Sequence, residues 1–150
     1  MPKIIVSDTS CLILLQKLNK LSLLKVLFKE VTVTKTIEKE FGDSLPDFFK
    51  IKEPKDKNYQ RILESFLDAG EASAIALALE YNDSLIILDD QKARSEAIQL
   101  KLNITGTIGI LLLALEKGLI ESQDDIIEGI MQTNFRVSEK YLDKIKNWKK

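Results

Sequence analysis

The sequence contains no histidine and only one cysteine, Cys11. The lack of histidine excludes His-based general acid–base catalysis, Ser-His-Asp triads and histidine-ligated zinc. A single cysteine excludes internal disulfides and thiolate zinc clusters. Any chemistry that the chain performs must therefore use carboxylates, hydroxyl groups, lysines or a hard metal ion.

A strong net charge and long apolar runs are also missing. The formal net charge is −1, which argues against a protein that coats DNA but not against a nuclease with an acidic centre and local basic surroundings. The longest apolar run, Ile110 to Leu115, is too short to span a bilayer. Residues 1–3 lead directly into a strand-like run, so we expect no signal peptide, no membrane association and a cytoplasmic location.

Short apolar runs alternate with helical patterns over the 150 residues, which suggests a single domain, 1–150. Strands are predicted over 4–6, 31–33, 85–88 and 102–105. Helices are predicted over 11–18, 21–28, 34–41, 58–67, 72–81, 106–115, 122–131 and 138–150, and one more begins near residue 91. Residues 42–57 contain prolines and lysines and predict an irregular, mobile surface segment. This alternation predicts an α/β fold with a small parallel sheet.

The last predicted helix has two interpretations. Tyr141, Ile145 and Trp148 recur at helical spacing, with lysines between them. Such a pattern is most often an apolar stripe that faces the core beneath a solvated face. Basic charge interleaved with aromatic residues is also found on RNA-binding surfaces.

Acidic residues follow two of the predicted strands. Asp8 comes directly after the first strand, and Asp89 and Asp90 end the apolar run 85–88. The carboxyl ends of neighbouring parallel strands meet at one edge, where open α/β sheets place their ligands. Glu71 begins the preceding helix, and we expect it to point toward the same edge.

Each of these acids also has a purely structural interpretation. Asp8 can cap the helix after the first strand, and Asp89 or Asp90 can cap the helix from residue 91. Asp68 and Glu71 fit a capping box. Both interpretations stay open from the sequence alone.

Like charges gathered at one edge are costly unless something compensates them. Together with Glu38 or Glu40 from a neighbouring helix, the strand-end acids offer only oxygen ligands, which Mg²⁺ and Mn²⁺ prefer. Carboxylate-bound metal suits phosphodiester hydrolysis, because it activates water and stabilises a charged transition state without histidine. The candidate metal ligands are Asp8, Glu71, Asp89 and Asp90.

Hydroxyl groups and small residues lie beside the acids. Thr9 and Ser10 could hold a phosphate or a metal-bound water, although they are also ordinary first-turn residues. Residues 106–109, Gly-Thr-Ile-Gly, match neither a Walker loop nor Gly-x-Gly-x-x-Gly. Their N–H groups could hold a phosphate or anchor a carboxylate at a helix N-terminus, or they form only a tight turn.

Five ordered motifs resemble the PIN-domain family, and more narrowly its VapC-like proteins. They are Val-Ser-Asp-Thr-Ser at 6–10, Thr-Ile-Glu-Lys-Glu-Phe at 36–41, Gly-Glu-Ala-Ser-Ala-Ile-Ala-Leu-Ala at 70–78, Leu-Asp-Asp-Gln-Lys-Ala-Arg at 88–94 and Thr-Gly-Thr-Ile-Gly-Ile-Leu at 105–111. The resemblance covers nearly the whole chain, including 118–120 and 134–138. It implies a three-layer α/β/α fold, Mg²⁺- or Mn²⁺-dependent endoribonuclease activity and often a toxin role neutralised by a separate antitoxin.

The resemblance also assigns roles to residues of this chain. The catalytic acids it implies are Asp8, Glu40, Glu71 and Asp90. Asp89 is a rival to Asp90, and Glu38 is a rival to Glu40. Thr9, Ser10 and Thr107 match the small hydroxyl positions around the acids. The partners it implies are an RNA substrate, an antitoxin and a second copy of the chain.

Three other functions were weighed against the sequence. A phosphoaspartate receiver needs paired acids after the first strand and a lysine after the last, and the chain has neither. A haloacid-dehalogenase-like phosphatase needs Asp-x-Asp after the first strand, but residue 10 is Ser10. The remaining alternative is a metal- or RNA-binding PIN module with weak turnover and a regulatory or interaction role.

Overall fold

The computed structural model describes residues 2–133 and 139–148, and within them it contains five strands and nine helices. The strands are β1 Ile4–Ser7, β2 Val31–Val33, β3 Phe49–Ile51, β4 Ser84–Ile87 and β5 Asn103–Thr105. The helices are α1 Thr9–Lys17, α2 Leu23–Phe28, α3 Lys35–Phe41, α4 Lys57–Leu63, α5 Ala69–Leu79, α6 Gln91–Gln99, α7 Thr107–Glu116, α8 Gln123–Met131 and α9 Glu139–Lys146.

The strands form one sheet in the order β3-β2-β1-β4-β5, and every pairing is parallel. Helices flank the sheet, so the predicted three-layer α/β/α fold is confirmed. The central strands β1 and β4 are buried along nearly their whole length, as expected of a parallel sheet covered on both faces.

The register of the two central strands brings their carboxyl ends together. Ile4 pairs with Ser84, and Ser7 pairs with Ile87. The main-chain N–H of Asp8 then donates to the Ile87 carbonyl oxygen at 3.0 Å. The chain segments that follow β1 and β4 therefore lie side by side at one edge of the sheet.

Helix α5 packs against β1 and β4, and most of its buried side chains are small. Ala72, Ala74, Ala76 and Ala78 are all buried, and alanine also favours a helix more than any other residue.

Helix α3 ends at Phe41 and is capped by Gly42, whose φ of 75° is a left-handed conformation that glycine adopts without strain.

The prediction of an irregular, mobile segment over residues 42–57 is wrong in its centre. Residues 49–51 form β3, which pairs with β2, and the N–H of Lys52 donates to the Val33 carbonyl oxygen at 3.1 Å. Only Phe49 of the three strand residues is buried. So short a strand with one buried residue has no detectable periodicity, and it forms because β2 offers an open edge.

The helix predicted over residues 58–67 is shorter in the structure. Ile62 and Phe66 are 63% and 39% exposed, whereas Leu63 and Leu67 are buried. Helix α4 ends at Leu63 rather than at residue 67.

The C-terminal part of the chain is described only in part. Ile145 of α9 is buried and Trp148 packs against the core, which agrees with an inward stripe. The resemblance at 134–138, the side chain of Tyr141 and the predicted helix positions 138, 149 and 150 lie outside the described residues. Within the described residues no helix is long and apolar enough to cross a membrane.

Replacing Phe49 by alanine tests whether β3 is an integral strand. We expect Phe49→Ala to lower the free energy of unfolding by about 2–4 kcal/mol, because it removes a buried aromatic side chain. The matched control is Ile51→Ala in the same strand, whose side chain is 40% exposed. It should cost less than about 1 kcal/mol. Urea denaturation measures both, and equal small effects would show that this segment does not belong to the folded core.

Candidate active site

Asp8 joins the ends of the two central strands. One carboxylate oxygen, Oδ1, accepts a hydrogen bond from the Cys11 N–H at 2.9 Å and thereby caps α1. The other, Oδ2, accepts from the Asp89 N–H at 2.8 Å. Asp8 is only 3% exposed, so both bonds form in a buried environment. The capping interpretation and the strand-edge interpretation of Asp8 are therefore both correct as descriptions of its position.

The Asp89 side chain anchors the start of α7. Its Oδ1 accepts from the Thr107 N–H at 2.8 Å, and its Oδ2 accepts from the Thr107 hydroxyl at 2.5 Å. The residues 106–109 therefore anchor a carboxylate, which was one of the alternatives open from the sequence. The carboxylate is Asp89, and the α6 cap is instead Asp90, whose Oδ2 accepts from the Ala93 N–H at 3.0 Å.

Arg94 lies beside this anchor. Its Nη1 donates to the Leu88 carbonyl oxygen at 2.8 Å. A Cβ atom on Gly106 would lie 2.8 Å from Arg94 Nη1 and 3.1 Å from Asp89 Oδ1. Because Gly106 has no side chain, the Arg94 guanidinium and the Asp89 carboxylate can approach each other in the space that a Cβ atom would occupy. Sequence reasoning placed Arg94 and Gly106 in motifs but gave neither a role.

Glu40, rather than its rival Glu38, reaches the other predicted site residues. The Thr9 hydroxyl donates to Glu40 Oε1 at 2.6 Å. A Cβ atom on Gly70 would lie 2.2 Å from the same oxygen, so the Glu40 carboxylate lies directly against the start of α5. Glu40 itself is exposed.

A buried pair of hydroxyl groups joins the two helices that carry Glu40 and Glu71. Thr34 caps α3, and its hydroxyl lies 2.7 Å from the Ser73 hydroxyl in α5. Ser73 also donates to the Gly70 carbonyl oxygen at 2.7 Å. Sequence reasoning missed this pair, although a threonine directly before a helical pattern is a capping signal that identifies Thr34.

The remaining predicted residues lie at the beginnings of helices. Asp68 caps α5 and accepts from the Glu71 N–H at 2.9 Å, which confirms that half of the predicted capping box. The Glu71 side chain is half-buried, and Asp90 is exposed. Ser10 is exposed in the first turn of α1, and Thr107 is fully buried.

Burial and neighbouring charges shift the pKa values of three carboxylates in the site. Burial and then the negative charge of Asp89 raise the pKa of Asp8 to about 8, against the hydrogen bonds from two main-chain N–H groups. Burial, Asp68 and Asp90 raise the pKa of Glu71 to about 7. Burial raises the pKa of Asp89 as well, while Thr107 and Arg94 oppose that rise.

The donor chemistry of this edge fits a hard divalent cation. Every candidate ligand is a carboxylate, and Mg²⁺ and Mn²⁺ prefer oxygen. Burial and then neighbouring carboxylates raise the pKa values of Asp8 and Glu71, so a cation at this edge would favour their ionised forms. As the side chains stand, no group of three or more His, Cys, Asp or Glu residues in the described part of the chain is arranged to hold a metal ion. The ligand set Asp8, Glu71, Asp89 and Asp90 therefore stays a prediction.

The shifted acids predict a pH dependence of stability in the metal-free protein. A carboxyl group whose pKa is higher in the folded chain binds its proton more tightly there, so stability is lost as the pH rises from the unfolded value through the folded value. For Asp8 that window runs from 3.8 to about 8. With EDTA present, we expect the free energy of unfolding to fall between about pH 5 and pH 8.

Urea denaturation at a series of pH values measures this slope. Asp8→Asn should flatten it, because the variant has no proton to lose at residue 8. Glu30→Gln, an exposed acid in the turn before β2, should leave it unchanged. Wild-type stability that stays constant or rises over this range would contradict the proposed charge crowding.

A family model, DUF3368, described as a PIN domain, matches residues 4–149. No curated protein and no solved structure matches the chain. The DUF3368 model covers almost the entire sequence, including every residue of the site described above. The chain therefore belongs to the DUF3368 family of PIN domains.

Proposed function

We propose that the protein is a Mg²⁺- or Mn²⁺-dependent endoribonuclease. PIN domains are generally nucleases, so membership of the family supports a nuclease that acts on nucleic acid. The observation that carries the proposal is the meeting of Asp8 with Asp89 at one sheet edge, while Thr9, directly after Asp8, holds Glu40. Besides burial, Glu71 contributes to the raised pKa of Asp8, and Asp90 and Glu40 contribute to that of Glu71, which supports a common location for the acids that the resemblance assigned to catalysis.

We propose that residues of the predicted set, Asp8, Glu71, Asp89 and Asp90, would hold the metal. A bound divalent ion supplies an activated water and stabilises the charge that develops on the phosphate. The protein supplies the placement: two main-chain N–H groups fix Asp8, and the cap at Asp68 fixes the turn that carries Glu71.

Glu40 is proposed to orient the attacking water. The Thr9 hydroxyl occupies one of its oxygens, Oε1, and the exposed carboxylate retains acceptor capacity for a water proton. Its position depends on the close approach of α5, because Gly70 has no side chain to displace it. The Thr34–Ser73 pair keeps α3 and α5 at that distance.

Single-stranded RNA is the proposed substrate. An unstacked strand can bend so that one phosphate enters a recessed site, whereas a duplex holds its phosphates in a stiff helix. With a formal net charge of −1, the chain has no overall basic field for binding a long duplex.

One observation favours the alternative of a PIN module with weak turnover. In the described residues no three candidate ligands are arranged for a metal as they stand. A module of this kind would bind metal or RNA weakly and act in regulation or interaction. The same cleavage assay separates the two functions.

Cleavage of a fluorescent single-stranded RNA tests the proposal. We expect cleavage with Mg²⁺ or Mn²⁺, none with excess EDTA, and slower cleavage of the same sequence in a duplex. Asp8→Asn and Glu71→Gln should each lower the rate by about 100-fold or more, because each removes a carboxylate from the reacting site. Glu30→Gln should cleave at the wild-type rate. Cleavage that persists in EDTA, or that Asp8→Asn retains in full, would contradict this mechanism.

Gly70→Ala extends the same assay to Glu40. The new Cβ would lie 2.2 Å from Glu40 Oε1, at the end of a flexible side chain. Stability should therefore change by no more than about 1 kcal/mol, while cleavage falls because Glu40 leaves Thr9. The matched control is Gly129→Ala in α8, whose Cβ would meet Leu18 Cδ2 at 2.5 Å. It should leave the cleavage rate unchanged.

We further propose that the chain forms a homodimer and that, as in the VapC-like proteins it resembles, it is a toxin neutralised by an antitoxin. Light scattering should give a mass of about twice 17.0 kDa.

A small protein encoded in the neighbouring reading frame should bind the chain and inhibit its cleavage of RNA. A monomer at high concentration would contradict the dimer, and a neighbour that neither binds nor inhibits would contradict the toxin role.

A further inference from the structure

The Asp89 carboxylate is occupied by groups of the protein itself. Both of its oxygens accept hydrogen bonds from Thr107, one from the main-chain N–H and one from the hydroxyl. The positive charge of Arg94 lies close enough to favour its ionised form. Asp8 also accepts two hydrogen bonds, so the distinguishing feature of Asp89 is the cation: Arg94 Nη1 and Asp89 Oδ1 lie 2.8 and 3.1 Å from the position of a Cβ atom on Gly106, and this positive charge repels a metal ion at Asp89.

The main chain of Asp89 acts on Asp8. Its N–H donates to Asp8 Oδ2, and the preceding residue, Leu88, accepts from Arg94 Nη1. The N–H of Leu88 also donates to the Thr105 carbonyl oxygen at 2.9 Å. Hydrogen bonds to Arg94 and Thr105 therefore hold the chain at Leu88, directly before residue 89. The turn that begins here sets the orientation of the Asp8 carboxylate.

Asp90 differs from Asp89 in each of these respects. It is exposed, and one of its oxygens, Oδ2, caps α6 through the Ala93 N–H. Within the described part of the chain only Oδ2 of Asp90 accepts a hydrogen bond, whereas both oxygens of Asp89 accept one from Thr107. The two adjacent aspartates therefore offer a metal ion different degrees of access.

We infer that Asp89 is a positioning residue and not a metal ligand: its side chain, held by Thr107 and balanced by Arg94, fixes the turn whose N–H orients Asp8. This inference rests on the proposed metal-dependent function. It assigns Thr107 and Arg94 to the same task, since Thr107 holds the carboxylate and Arg94 holds the carbonyl group of Leu88. It also separates Asp89 from Asp90, which the sequence left as alternatives.

Mn²⁺ binding and hydration distinguish a positioning residue from a ligand. Water-proton relaxation reports both the affinity for Mn²⁺ and the number of waters on the bound ion. Asp8→Asn removes a proposed ligand and should add one water. Asp89→Asn should leave the water number unchanged and weaken binding by about tenfold, as is usual for partners that orient a ligand.

Thr107 supplies the second half of the experiment. Thr107→Val removes the hydroxyl but keeps the N–H, and it should weaken binding to a similar degree as Asp89→Asn. The double variant should lose less than the product of the two single effects, because both act through one contact. Thr107→Ser keeps the hydroxyl and should bind Mn²⁺ with the affinity of the wild-type protein. Asp83→Asn, in the turn before β4, is the matched control and should change neither readout.

Three outcomes overturn the proposals separately. Asp89→Asn that gains a water as Asp8→Asn does, with Thr107→Val at wild-type affinity, would make Asp89 a ligand and overturn the inference. Wild-type protein that binds Mn²⁺ but cleaves no RNA would overturn the proposed function alone. Wild-type protein that binds no Mn²⁺ would overturn both.

Discussion

The hydrogen bond from the Asp89 N–H to the Asp8 carboxylate is the contact on which the site depends. It joins residues 81 positions apart and fixes the ends of the two central strands to each other. A buried carboxylate beside a second one is costly. The cost is reduced because Asp8 accepts from two main-chain donors, which favour its charged form. The start of α1 and the turn after β4 both follow from where Asp8 is held.

Capping and site formation are one arrangement in this fold. Asp8 and Asp90 each cap a helix that follows a strand, β1 and β4 respectively. In a parallel α/β sheet the helices that follow strands begin at the carboxyl edge, where ligands bind. Acidic caps therefore collect at that edge as a consequence of topology. A carboxylate has more acceptor sites than one cap uses, so the structural interpretation of an acid does not exclude the chemical one.

Sequence reasoning succeeded where the determining information is local. The apolar runs of β1 and β4 and the acids after them can be recognised from adjacent residues, and so can the caps. It failed for β3, where one buried residue in three gives no pattern and pairing with β2 decides the structure. It could not choose between Glu38 and Glu40, because that choice depends on where α5 passes. The bond between Thr34 and Ser73 spans 39 positions, and nothing in either local sequence specifies the partner.

The distribution of compensating charge separates the acids into two kinds. Arg94 and Thr107 favour the ionised form of Asp89, whereas Asp8 keeps a pKa of about 8 and Glu71 one of about 7. Thr107 and Arg94 thus oppose the effect of burial on Asp89, whose pKa is still raised, whereas neighbouring carboxylates add to the effect of burial on Asp8 and Glu71. A divalent ion would compete with protons for Asp8 and Glu71, because carboxylate ligands must be deprotonated. Protonation relieves the crowding of these charges below the raised pKa values, and at higher pH a bound cation would relieve it, which couples the stability of this edge to the proposed chemistry.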